Sequence, residues 1–183
     1  MAKIQTHITR GNIIESIHES KCLIKNYKYE TIFSTNHEKD LVYPRSSIKI
    51  FQSIPFIISN AYKKYNLTHK EIAISCASHF GEKEHIKVLE KWLKKIKISR
   101  SLLKCGIHNP LNAKYSDMLL LSGKKPNQLH NNCAGKHLAM LSGCLMNRLD
   151  LSNYLDLNHP YQIQIRKLLE YFTECKIYKK QNG

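Results

Sequence analysis

The chain is poor in acidic residues, with 14 Asp and Glu against 29 Lys and Arg among 183 residues and a formal net charge of +15. That shortage excludes an acidic solvating tail. The excess of lysine raises nucleic acid, an anionic membrane surface or a negatively charged substrate as partners. Long apolar runs are missing as well. Stretches such as Ile54 to Ile58 and Met118 to Leu121 fall far short of the ~20 residues of a spanning helix. The opening MAKIQTHITRG puts polar residues where an export signal needs continuous apolar ones. Six cysteines, at 22, 76, 105, 133, 144 and 175, are too sparse for a small disulfide scaffold and are expected to be reduced. The expected location is the cytoplasm, with no membrane partner. Repeats, low-complexity tracts and clear linkers are absent, so residues 1–183 read as one domain, long enough to bury a core without staples.

Short apolar stretches separated by polar turns predict strands in the first forty residues, with a hairpin at Asn26 between CLI and TIF. After Pro44 the period changes. Ile48, Phe51, Ile54, Ile58 and Tyr62 recur every three or four residues and predict a core-facing helix, kinked or divided at Pro55. Thr68 to Glu71 has the form of a capping box. Further helices are expected over 84–98, 111–121, 132–149 and 161–175. Strands first and helices after give an α+β or α/β class.

Three segments carry chemistry. In YPRSSIK, Ser46 precedes Lys49 by three residues, which on a helix places both side chains on one face. A desolvated, neutral Lys49 would take the proton of Ser46 and make it a nucleophile toward an acyl carbon. Ser101 to Lys104 and Ser122 to Lys125 share the same spacing, so the pattern alone does not single out Ser46; the plain alternative is a capping serine and a solvated lysine. In CASHFGEKEH, Ser78 and His79 follow an apolar run and stand where a buried element gives way to a loop, a common place for cleft residues. The alternative is a turn at Gly81 with Glu82 and Glu84 opening the next helix. In LHNNCAGKHLAML, Cys133, Lys136 and His137 share a helix face, and Cys133 with His137 has zinc-ligand spacing. Asn132 reads equally as a helix cap. Cys76 with His79, Cys105 with His108 and Cys133 with His137 would make a zinc-binding module. Lys87, Lys91, Lys94, Lys95 and Lys97 would make a basic nucleic-acid-binding face, or the solvated side of an amphipathic helix.

In collinear order the stretches TRGNIIES, YPRSSIKIFQSIP, EIAISCASHFGEKEH, CGIHNP, LHNNCAGKH and NHPYQ resemble the type-II asparaginases of Rhizobium etli type, also called thermolabile or class 3. The resemblance implies hydrolysis of L-asparagine to L-aspartate and ammonia, on a fold similar to the serine β-lactamases and glutaminases. It implies a Ser–Lys pair at Ser46 and Lys49, with Ser46 the nucleophile and Lys49 its general base. Arg45, Asn131 and Asn132 would set the substrate, and Ser78 would belong to a second Ser–Lys pair whose lysine lies further along the family's chain. It implies zinc at Cys133 and Lys136, completed by a cysteine downstream. Complete members of the family extend further. Residues 1–183 are therefore expected to form an N-terminal portion of the fold, weakly active or inactive alone, with an oligomer or a companion C-terminal chain as the expected partner.

Overall fold

A computed structural model of the chain describes residues 3–35 and 40–177. Where the sequence offers no linker signal, the chain forms two compact units, Met1–Tyr43 and Pro44–Gly183.

The first unit is built from the predicted strands. β1 (Ile4–Arg10) pairs antiparallel with β2 (Ile13–Ser20). β3 (Leu23–Lys25) pairs antiparallel with β4 (Thr31–Ser34). The pairs form two separate two-stranded sheets. Asn26 makes the second hairpin as its side chain allows: Oδ1 accepts the backbone N–H of Lys28 at 2.8 Å and of Glu30 at 3.0 Å, the local bonding that suits Asn to turns.

The second unit is helical. A 3₁₀ turn, Arg45–Ile48, leads into α1 (Lys49–Ile58). Pro55 lies inside α1 without ending it. The break comes at Asn60, whose φ of 59° is left-handed; it separates α1 from the short α2 (Ala61–Lys64) and leaves Tyr62 outside the predicted helix. α3 (His69–Cys76) starts on the expected capping box, with Glu71 Oε2 accepting the Thr68 N–H at 2.6 Å. α4 (Lys83–Ile96), α5 (Ala113–Leu121), α6 (Ala134–Met146) and α7 (Pro160–Thr173) follow. Strands and helices are segregated along the chain, and the fold class is α+β.

α6 is the hub of this unit. Ten of its residues, from Ala134 to Cys144, are buried, and it packs against α1, α3 and α4. A helix apolar on every side belongs inside a core. Each fully buried Leu or Phe there contributes about 1.5–3 kcal/mol of transfer free energy. Trp92, fully buried and 5.5 Å from the Phe56 ring, donates its Nε1–H to Ser142 Oγ at 2.9 Å, so its one polar atom is satisfied. Gly135 sets the closeness of α6 and α3: a Cβ there would lie 2.1 Å from the carbonyl oxygen of Ile74. Only glycine lets the start of α6 press on the end of α3, and that contact brings the Asn131–Lys136 segment beside residues 75–78. The lysines of α4 lie opposite its buried Leu89, Trp92, Leu93 and Ile96. Lys87 pairs with Glu84 at 2.7 Å, and Lys95 with the buried Glu71 at 2.7 Å.

Candidate active site

Lys49 is the first residue of α1 and only 2% exposed. Its ammonium reaches three oxygens: Ser78 Oγ at 2.6 Å, the Ala77 carbonyl at 3.0 Å and the Asn132 carbonyl at 3.4 Å. Ser78 Oγ in turn donates to Ser46 Oγ at 3.0 Å. Both serines are exposed, so a buried amine forms the floor and two hydroxyls rise from it to solvent. Ser46 and Lys49 of one motif and Ser78 of another are brought together. Among the described residues Lys49 makes no direct hydrogen bond to Ser46; the link runs through Ser78.

The partners of Lys49 fix what each protonation state can do. An ammonium has three N–H donors, one for each oxygen. A neutral amine has two N–H groups and a lone pair. Two of its partners are backbone carbonyls, which only accept, so they claim the two N–H groups. The lone pair is left for Ser78, the one partner that can donate. Ser78 then gives its proton to Lys49 and accepts that of Ser46. The same three groups therefore hold two bonding patterns related by moving protons along a row. Burial lowers the Lys49 pKa, and the Lys136 charge lowers it further, while Cys133 opposes both. Burial as the leading cause favours the neutral amine.

Local structure places each member. Arg45, just before Ser46, has a φ of 48°, a left-handed conformation that costs a non-glycine residue about 1–3 kcal/mol and concentrates at functional sites. Its side chain is exposed. Ser47 Oγ bonds back to the Pro44 carbonyl at 2.5 Å and fixes the 3₁₀ turn that presents Ser46. Asn131 is committed to backbone on both sides: Nδ2 donates to the Cys105 carbonyl at 2.7 Å, and Oδ1 accepts the Cys133 N–H at 2.9 Å. The side chain expected to meet substrate thus clamps the loop, while Asn132 contributes its carbonyl to Lys49.

Cys133 and Lys136 border the same place, both half-buried at the start of α6. They supply two metal donors, short of the three of a catalytic zinc site or the four of a structural one. Burial raises the neighbouring Cys105 thiol to about 11. Among the described residues no group of three or more His, Cys, Asp and Glu is arranged to hold a metal ion. His137 is turned to another use: Nδ1 meets Tyr154 Oη at 2.5 Å in the core, and burial, helped by Lys136 and Lys49, lowers its pKa to about 3. The sequence reading assigned no role to the Ala77 carbonyl or to Tyr154. A backbone acceptor leaves no mark in residue type, and Tyr154 lies outside every motif.

No helix among the described residues is long and apolar enough to cross a membrane. No match is found among curated proteins. The family model for L-asparaginase II matches residues 6–183, nearly the whole chain, including each segment that builds the Ser46–Ser78–Lys49 row. The chain belongs to the L-asparaginase II family.

Proposed function

We propose that the chain carries the acyl-transfer site of an asparaginase of Rhizobium etli type, which hydrolyses the side-chain amide of L-asparagine to L-aspartate and ammonia. The observation that carries this reading is the row Ser46–Ser78–Lys49, with Ser78 Oγ and two backbone carbonyls within hydrogen-bond reach of the Lys49 amine and Ser46 Oγ within reach of Ser78. Ser46 Oγ attacks the amide carbon. Its proton passes to Ser78, and the Ser78 proton passes to Lys49, so the resulting lysine ammonium is met by three acceptors already in place. The tetrahedral intermediate expels ammonia, which takes the proton back along the row, and leaves an aspartyl ester on Ser46. Water then attacks the ester, with the same row accepting its proton, and releases aspartate. Preorganised acceptors make the charge on Lys49 inexpensive when it forms.

Arg45, exposed and adjacent to Ser46, is the group for a substrate carboxylate, and Asn132, whose carbonyl meets Lys49, is the neutral contact. Asn131 acts by holding the loop. No step is routed through a metal.

The test is ammonia release from L-asparagine by the unaltered chain and by Ser46→Ala. Release abolished in Ser46→Ala supports Ser46 as nucleophile. Release undiminished in Ser46→Ala moves the nucleophile to Ser78.

A further inference from the structure

Ser78 is followed by a buried histidine that this chemistry leaves unused. His79 is 3% exposed. Its Nδ1 accepts the backbone N–H of Gly81 at 3.1 Å, so in the neutral ring the proton sits on Nε2. That Nε2 is buried and, among the described residues, has no hydrogen-bond partner. Leaving a buried donor unmet costs about 1–3 kcal/mol, which a phenylalanine of similar size would avoid. Among the described residues the one hydrogen bond the imidazole makes is to Gly81, two residues along, the bond an Asx turn makes with an Asn side chain.

The turn it closes is tightly set. Gly81 has a φ of 71°, and a Cβ there would lie 2.7 Å from the His130 carbonyl oxygen. Phe80 accepts the Leu111 N–H at 2.9 Å. The His79 ring stacks on His85 at 5.3 Å. At the other end of this five-residue loop stand the Ala77 carbonyl and Ser78 Oγ, two of the three acceptors of Lys49. The side chain of His79 therefore ties the far end of the loop while its backbone continues directly from Ser78.

We propose that His79 is a positioning residue of the Ser–Lys site: as a neutral acceptor for the Gly81 N–H it fixes the 77–81 loop, and through it the Ala77 and Ser78 oxygens that hold Lys49. This rests on the Ser46–Ser78–Lys49 reading above. Among the described residues His79 makes no hydrogen bond to Lys49; it acts by setting the distance between Ser78 and Lys49, to which a proton relay is sensitive.

The proposal separates two roles that packing alone would merge. Asn keeps an acceptor for Gly81 but loses the ring and its stack on His85. Phe keeps the ring and its bulk but loses the acceptor. The experiment is the rate of covalent labelling of the active serine by a fluorophosphonate, followed by mass spectrometry, in the unaltered chain, His79→Asn and His79→Phe. Urea midpoints are measured beside it. Labelling needs an activated serine and not an amide substrate, so it reads the Ser–Lys site separately from asparagine turnover. The expected result is His79→Asn within about threefold of the unaltered rate despite a lower midpoint, and His79→Phe slowed tenfold or more while folded. Should His79→Phe fail to fold, His79→Met takes its place, with the same slowing expected. Equal rates in the unaltered chain and the Phe or Met variant, or a folded His79→Asn as slow as they are, would overturn the proposal. An unaltered chain that does not label at all would overturn the Ser–Lys reading and this inference with it. Labelling without ammonia release from asparagine would count against the asparaginase reading alone.

Discussion

The Lys49 amine stands 2.6 Å from Ser78 Oγ, although its partner by sequence spacing is Ser46. In the proposed mechanism the base therefore meets the nucleophile through an intervening hydroxyl. Lys49→Met should lower kcat by roughly 10²–10⁴-fold, the range of a general base. Lys49→Arg should not restore it, because a guanidinium stays protonated at any working pH. Steady-state ammonia release or serine labelling reads both variants.

Two buried histidines make stability depend on acid. His79 is pushed down to about 4, by burial first and then by His85, Lys49 and His130; His137 is pushed down to about 3. Unfolded, each titrates near ~6.5. Between those values the unfolded chain binds protons that the folded chain refuses, so stability falls as pH falls. The full contribution is present above pH ~6.5 and is lost on the way down to about 4 for His79 and about 3 for His137. The steepest slope is at most about 1.4 kcal/mol per pH unit for each ring. Urea unfolding at pH 7, 6, 5 and 4 should show a falling midpoint. His137→Phe should flatten the curve.

Gly135→Ala should be among the more damaging single-methyl additions, because the new Cβ meets the Ile74 backbone and not a side chain that can rotate. Overpacking of this kind costs about 1–3 kcal/mol. The displaced start of α6 should also move the Asn132 carbonyl off Lys49. Loss of activity in a variant that still unfolds cooperatively would show both effects together.

Ser142→Ala leaves the Trp92 N–H buried without an acceptor. The expected destabilisation is about 1–3 kcal/mol, with serine labelling unchanged because the pair lies in the core of α4 and α6. The double variant Trp92→Phe with Ser142→Ala should recover part of that loss, since no donor then remains unmet. Urea unfolding of the three variants measures it.

Much of this was readable in the chain. The Thr68–Glu71 box, the Asn26 hairpin and the apolar stripe of α4 all follow from local rules, and each appears where the pattern puts it. Proline is the stronger visible signal and predicts a kink or division at Pro55, whereas the helix runs through Pro55 and the break comes at the left-handed Asn60. The serines and Lys49 were legible as motif residues, but their order was not. Spacing along one helix relates Ser46 to Lys49, and it cannot show that a loop 29 residues further on inserts Ser78 between them. Asn131 had the residue type of a substrate contact; its capture by the backbone of residues 105 and 133 is a tertiary event. Division into two units coincides with the change of period after Pro44, which marks a change of element type and not by itself a boundary.

The central claim is that Ser46 is the nucleophile and that its proton leaves through Ser78 to Lys49. The most direct measurement is the site of fluorophosphonate attachment, located by peptide mass spectrometry, in the unaltered chain, Ser78→Ala and Lys49→Met. The account predicts a single adduct on Ser46, strongly slowed in Ser78→Ala and absent in Lys49→Met. An adduct on Ser78, or labelling of Ser46 at the unaltered rate in Lys49→Met, would contradict it.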